Sequence, residues 1–332
     1  MVREEKVRVA VLGCGAIGGA YLQAVGRVPE AELVAVVDTV PENRERAAKE
    51  TGARPLESVE SLIGSGLAEA AIVCTPPATH EPLASQLLGS GFHLICEKPF
   101  ALTVAEATRM TEQAKQADRI LMMASKFRYV QDVGKARGIV DSGILGRIVL
   151  FENIFCSRVD MSGRWNADPA VSGGGVLIDN GSHSVDIARF LLGPISEVQA
   201  QHGVRAQNLA VEDTSRLLFR SHAGVMGAID LSWSIHKEVD WYICLYGSEG
   251  TLRIGWKGSQ FRQSEKNEWV PFGEGYSKIG ALANQVKNFA RSIQGRELPV
   301  ITAVDGRESV RVIEAAYRSG GEEHWVSVDD PV

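Results

Sequence analysis

Apolar and polar positions follow two rhythms along this chain, and the change comes near residue 125. Before it, short apolar and β-branched runs are separated by longer stretches with helical period. Val7–Leu12 reads as a buried strand, and Leu33–Val37, Ala70–Cys74, His93–Cys96 and Ile120–Ala124 read as four more. Between them lie helical patterns: one running to about Val28, then Pro41–Thr51, Ser58–Ile63, a stretch capped by Thr79 and reaching Ser90, and Thr103–Asp118. Strands alternating with helices in this way predict a parallel sheet wound on both faces. Ligands of such sheets sit at the carboxyl ends of the strands, which places Gly13, Asp38, Thr75 and Lys98 along one rim.

Beyond Lys126 the pattern changes. Val130–Asp141 reads as a helix, Arg147–Ser157 as a long strand, and Val176–Leu192 as a central helix stopped by Gly193-Pro194. Closely spaced strand-like runs follow at Glu197–Arg205, Thr214–Ser221, Val225–Ile235, Val239–Tyr246 and Thr251–Ile254. Tight turns between them, such as Ala223-Gly224 and Gly247–Gly250, predict an antiparallel sheet. Ile279–Ile293 and Asp305–Ser319 are helical in period. The expectation is an α/β chain of two domains: a doubly wound parallel sheet of Rossmann type over residues 1–125, and a second α/β domain over 126–332.

Composition narrows the setting. A chain of 332 residues with 45% hydrophobic and 23% charged residues is ordinary for a soluble globular protein of roughly two domains. A net charge of −6 argues against nucleic acid as a partner. No apolar run approaches a membrane span, and the opening residues lead into a strand rather than a signal peptide. Five cysteines without a C-x-x-C pair fit reduced thiols and imply no structural zinc. A cytoplasmic location is expected.

Two stretches carry candidate chemistry. The first strand runs into Gly13-Cys14-Gly15-Ala16-Ile17-Gly18 and then a helix, the dinucleotide-binding arrangement. Gly13 permits the tight turn, Gly15 the approach of a pyrophosphate, and Gly18 close packing of helix on strand. Asp38 ends the second strand, twenty residues beyond Gly18, where a carboxylate accepts hydrogen bonds from ribose hydroxyls. That acid predicts NAD rather than NADP. Val40 supplies no cation, and Arg44 is the one nearby group that could meet a 2′-phosphate.

The second stretch is Ser172–His183, S-G-G-G-V-L-I-D-N-G-S-H. On a helix, Asp179 and His183 stand four apart and share a face. Behind a glycine run that lets another molecule approach the backbone, they read as acid/base equipment. The alternative is a capping Asp179 and a satisfied core His183.

The ordered set G-C-G-A-I-G, T-P-P-A-T-H at 75–80, E-K-P at 97–99, G-G-G-V-L-I-D-N-G-S-H at 173–183 and Y-G-S-E-G-T-L at 246–252 resembles the glucose–fructose oxidoreductase/inositol dehydrogenase family. The resemblance implies a Rossmann domain followed by an α/β domain with a large, mostly antiparallel sheet, one face of which supports homodimers or homotetramers. The apolar alternation Val225, Ile229, Leu231, Trp233 is the expected location of that face. For NAD it implies contacts from Gly13, Gly15, Ala16, Ile17, Gly18, Asp38, Thr75, Pro76, His80, Glu97 and Lys98, though a capping role fits His80 equally. By position Lys98, Asp179 and His183 would surround the reacting carbon, with His183 as base, Lys98 as donor to the reacting oxygen, and no metal. The alternative for Lys98 is a surface lysine after a strand. Arg128, Asn153 and Trp165 are candidate substrate contacts, Arg128 with an ion-pair role as its alternative. The implied activity is oxidation by NAD of a secondary alcohol of a sugar or cyclitol. A keto-sugar or nucleotide-sugar reductase is the enzymatic alternative, and a non-catalytic NAD-binding sensor or scaffold the other.

Overall fold

The computed structural model describes residues 5–266, 268–322 and 324–329. It consists of two compact units. One takes the segment up to Tyr129 together with Lys278–Arg307, and the other takes Val130–Ser277 together with the segment from Glu308 on. The expected division of 1–125 and 126–332 therefore needs correction, because a late segment returns to the first unit. The reason is packing. The helix Lys278–Ile293 buries Leu282, Gln285, Val286 and Phe289 completely. Its Gln285 accepts from the Tyr21 hydroxyl over 2.9 Å and donates to the Met123 carbonyl over 3.1 Å. A helix with an ordinary amphipathic pattern does not announce which unit its apolar face will cover.

The first unit contains strands β1 (Val7–Leu12), β2 (Ala31–Val37), β3 (Arg54–Leu56), β4 (Ala70–Val73), β5 (His93–Glu97) and β6 (Leu121–Ala124). They form one parallel sheet in the order β3-β2-β1-β4-β5-β6. That is the Rossmann order, with its switch point between β1 and β4. Helices α1 (Ala16–Val25), α2 (Pro41–Thr51), α3 (Val59–Ser65), α4 (His80–Gly89) and α5 (Val104–Gln116) connect the strands. Residues of β1, β4 and β5 such as Val9, Val11, Ile72 and Ile95 are fully buried. Burial on both faces is why these strands read as unbroken apolar runs. Local signals set the helix starts: Ser58 accepts from the Ser61 amide, and Thr103 from the Glu106 amide. Thr79 does not cap as expected. Its hydroxyl turns back to Thr75 Oγ1 and the Pro76 carbonyl, each at 2.7 Å.

The second unit contains α6 (Gln131–Asp141), β7 (Ile148–Cys156), α7 (Pro169–Ser172), α8 (Val176–Leu192), β8 (Ile195–His202), β9 (Thr214–Ser221), β10 (Met226–Ser232), β11 (Ile243–Gly247), β12 (Gly250–Ile254), β13 (Ser259–Gln263), β14 (Val270–Gly273) and β15 (Val326–Ser327). The helix Lys278–Ile293, α9, belongs to the first unit, and α10 (Ala303–Glu322) begins there and ends in the second. The nine-stranded sheet has the order β14-β13-β12-β11-β7-β10-β9-β8-β15 and is antiparallel except where β7 meets β10. Helix α8 lies on this sheet. A methyl group on its Gly181 would lie 3.2 Å from the side chains of Leu231 and Ile313, so the glycine is what allows so close an approach.

That packing corrects one expectation. Val225, Ile229, Leu231 and Trp233 are all buried, and their row faces the chain's own helix layer rather than a second copy. The outward row is the other parity. Met226 is 50% exposed and pairs in register with Leu150, itself 40% exposed, while Leu218 lies opposite Ala228. Among the described residues no helix is long and apolar enough to cross a membrane.

Candidate active site

The loop after β1 is shaped by close backbone approach. Gly13 has φ 86°, and a methyl group there would lie 2.9 Å from the Cys74 carbonyl carbon and oxygen. One on Gly18 would meet the Gly13 carbonyl oxygen at 1.9 Å, whereas one on Gly15 would point into open space. Gly15 is the N-cap of α1; no side chain caps that end and no acid stands in its first turn. Its free N–H groups and positive dipole end are thus available to an anion. Ala16 and Ile17 supply that first turn.

Asp38 stands beside this loop. Its Oδ2 accepts from the Cys14 amide over 2.7 Å and its Oδ1 from the Val40 amide over 2.8 Å. Each oxygen keeps a lone pair for a ribose hydroxyl. Arg44 donates to the Asp38 backbone carbonyl, and Arg46, which the sequence reading passed over, donates to the Cys14 carbonyl over 3.0 Å. An open cleft of about 500 Å³ beside the loop is lined by Gly15, Ala16, Asn43, Arg46 and Lys278 among others. Asn43, Arg46, Ala47 and Glu50 follow the i, i+3, i+4, i+7 spacing of one helix face. That spacing was the available signal. Glycine cradle, open helix end and acid together fit a dinucleotide with unphosphorylated ribose.

Two turns follow β4 and β5 on the same rim. Lys98 comes directly after β5; its amide donates to Glu97 Oε2 over 3.0 Å, and its side chain is half-buried. Glu97 is buried. Thr75 and Pro76 form the turn after β4, and His80 ties the two turns together. Its Nδ1 lies 2.9 Å from the Pro99 carbonyl and its Nε2 2.8 Å from the Thr75 carbonyl. Complete burial pushes this imidazole below its usual pKa, opposed by those carbonyls. The expectation that His80 touches the cofactor is therefore corrected. The ring has no exposed surface, and it acts by holding Thr75 and Pro99.

Arg128, also on the first unit, is 7% exposed and ion-paired to Asp305 at 3.1 Å, with a further bond to the Val300 carbonyl. Burial alone would raise the Asp305 carboxyl. The Arg128 charge and the Thr302 groups outweigh it and hold the carboxyl below its usual range. The ion-pair reading of Arg128 describes these contacts.

In the second unit, Asp179 and His183 stand one turn apart on α8, the first half-buried and the second 5% exposed. The glycine run before them has an unexpected use. Gly173, at φ 80°, closes α7. A methyl on Gly174 would sit 2.1 Å from the Tyr317 hydroxyl oxygen, and one on Gly175 2.0 Å from the Glu212 carbonyl oxygen. What approaches this backbone is the chain itself, and the expectation of a foreign molecule there is corrected.

Asn153, on β7, is 1% exposed and donates to the Tyr242 carbonyl over 2.8 Å. Its buried Oδ1 has no hydrogen-bond partner among the described residues. Trp165 lies in a short turn of 3₁₀ helix and is 42% exposed. The loop leading to it is anchored by residues the sequence reading did not single out. Gln207 accepts from the Met161 amide and donates to the Val159 carbonyl, both at 3.0 Å. Asp213 in turn gathers the amides of Ala206 and Gln207 and the Ser234 hydroxyl at 2.7–2.8 Å. No group of three or more His, Cys, Asp or Glu among the described residues is arranged to hold a metal ion.

Known proteins fall in line with this architecture. Residues 7–125 match the family described as "Oxidoreductase family, NAD-binding Rossmann fold", and residues 133–253 match the GFO/IDH/MocA C-terminal domain. The chain is 25% identical to myo-inositol 2-dehydrogenase of Thermotoga maritima, covering 98% of this chain and 100% of that one. It is 31% identical to a putative UDP-kanosamine synthase oxidoreductase subunit of Amycolatopsis mediterranei, over 75% of each chain. A levoglucosan dehydrogenase solved with NADH and levoglucosan superposes with a TM-score of 0.91 at 21% identity, over 98% of this chain and 100% of that one. The last likeness establishes the fold. With the cradle after β1 and both domain matches in place, the chain belongs to the GFO/IDH/MocA family of NAD-dependent oxidoreductases.

Proposed function

We propose that this protein oxidises one secondary alcohol of a sugar or cyclitol with NAD, or reduces the matching ketone. The observation that carries the reading is the carboxylate–imidazole pair of Asp179 and His183 on one face of α8. The likeness to inositol dehydrogenases supports the substrate class. Gly13, Gly15, Gly18 and the first turn of α1 would hold the pyrophosphate, and Asp38 the ribose. Bound NAD supplies the acceptor for the hydride that leaves the carbinol carbon.

The chain's own groups manage the proton and the charge. His183 takes the hydroxyl proton as the carbon–hydrogen bond breaks, since a neutral imidazole accepts a proton near pH 7. Lys98 is assigned the role of hydrogen-bond donor to a substrate oxygen, where an ammonium stabilises developing negative charge. Asp179 orients His183 or holds a neighbouring hydroxyl. Trp165 and Asn153 are proposed as substrate contacts; Arg128 is left out because its ion pair occupies it.

A panel of cyclitols, free sugars and sugar phosphates with NAD, followed by absorbance of the reduced nicotinamide, tests the reading. Turnover of at least one is expected. Tight NAD binding without turnover of any would support a sensor or scaffold instead. A second reading is reduction of a nucleotide-linked keto sugar; the 31% identical relative, named as a subunit of a UDP-kanosamine synthase, supports the nucleotide link alone, and the same panel extended to nucleotide sugars with NADH distinguishes the two. A homodimer or homotetramer joined through the outward row of Leu150, Leu218 and Met226 belongs to the proposal, as does a cytoplasmic location.

A further inference from the structure

We infer that Glu212 and Tyr317 are positioning residues for the acid/base pair on α8, an inference that rests on the function proposed above. A helix opens with N–H groups that have no partner within it. The N-cap of α8 is Gly175, which has no side chain to offer. Glu212 supplies the cap from far along the chain. Its Oε1 accepts from the Gly175 amide over 3.0 Å and the Leu177 amide over 3.1 Å, and its Oε2 from the Gly175 amide over 3.1 Å. Its backbone carbonyl takes the Val176 amide over 2.9 Å. Tyr317 closes the group, its hydroxyl donating to Oε1 over 2.7 Å.

The next residue on the ladder is Asp179, whose amide donates to the Gly175 carbonyl over 3.1 Å. His183 is one turn further on. Asp179 and His183 thus take their register from the residue that Glu212 grips. Gly174 and Gly175 serve the same arrangement, because a methyl group at either would collide with Tyr317 or Glu212. A carboxylate also suits the positive end of the helix, so the contact is favoured by charge as well as by geometry. Misplacement of a catalytic group by about an ångström, caused away from the chemistry, can cost on the order of 10²-fold in rate.

The test uses the full chain with NAD and the variants Glu212→Ala, Glu212→Gln, Tyr317→Phe and His183→Ala. The His183 imidazole signal in a histidine-labelled sample is assigned by its loss in His183→Ala. Glu212→Ala is expected to move or broaden that signal and to speed amide exchange at Leu177–Asp179, with exchange in β1 and β4 unchanged. Glu212→Gln keeps an acceptor oxygen and should restore much of the native signal. Tyr317→Phe, the mildest change, gives the same direction if Glu212→Ala fails to fold. Kinetics are read on the compound of the cyclitol and sugar panel that turns over fastest. Glu212→Ala should lower kcat on the order of 10²-fold with NAD affinity unchanged, and should cost nothing more in the His183→Ala background. An unmoved His183 signal, or equal losses in both backgrounds, would overturn the inference. If His183→Ala itself keeps turnover, the acid/base reading has failed, whereas the signal still reports on Glu212.

Discussion

The Cys14 amide donates to Asp38 Oδ2 over 2.7 Å, so the acid after β2 is built into the glycine loop after β1. The carboxylate is fixed before a cofactor arrives, and a 2′-phosphate there would meet like charge. NAD is expected to bind more tightly than NADP. Asp38→Ala removes hydrogen bonds to a charged acceptor and should weaken NAD on the order of 10–10²-fold. NADP should suffer less, since Arg44 and Arg46 remain. Dissociation constants for both cofactors decide it, and a native preference for NADP would contradict the assignment.

Two of the loop glycines should respond differently to alanine. Gly18→Ala drives a methyl group into the Gly13 carbonyl, which is backbone and cannot swing aside. A loss of about 1–3 kcal/mol in stability is expected, the cost of overpacking. Gly15→Ala meets nothing in the protein, so its melting temperature should hold while NAD affinity falls. Unchanged NAD affinity in Gly15→Ala would mean that the pyrophosphate does not approach this residue.

These contrasts show what was legible in the sequence. Local patterns were plain: β1 and α2 stand where their periods put them, and α8 runs from Val176 to Leu192 as its pattern required. Spacing placed Asp38, Asp179 and His183 because each lies within one strand–turn–helix unit or one helix. Non-local use was hidden. The run Gly173–Gly175 reads as open backbone, yet Tyr317 and Glu212 fill two of its three positions, and no local signal pairs residues so far apart. The row Val225, Ile229, Leu231, Trp233 showed which parity is apolar but not what covers it, and it covers its own helix layer. The strands β13, β14 and β15 went unread: β14 and β15 are the short edges of the sheet, and β13 beside β14 buries only Ser259, so all three carry weak alternation.

Asp213 predicts an acid response. Burial would raise its carboxyl, but the amides of Gln207 and Ala206 and the Ser234 hydroxyl outweigh that and hold it below the usual range. A depressed folded pKa gives stability that is present above the unfolded value of about 3.9 and is lost as pH falls through the folded one. Asp213→Asn sets an amide against these donors and should cost about 1–3 kcal/mol at pH 7. It should also flatten the decline in melting temperature below about pH 4. Equal acid sensitivity in the variant would show that Asp213 is not the group responsible.

The outward sheet face should govern assembly. Met226→Glu places charge in the row shared with Leu150 and Leu218, and should shift light scattering at micromolar concentration toward the monomer. Leu231→Glu, on the opposite parity, should unfold the second unit instead, since Leu231 is 1% exposed. A native protein that is already monomeric would contradict the assembly proposal.

The central claim is that α8 carries the acid/base chemistry, and His183→Ala tests it most directly. A positioned general base contributes roughly 10²–10⁴-fold, so turnover of the true substrate should fall by that order. NAD affinity should stay as it was, because Gly13–Gly18 and Asp38 lie in the other unit. Near-normal turnover in His183→Ala would contradict the account and leave α8 as only a wall of the site.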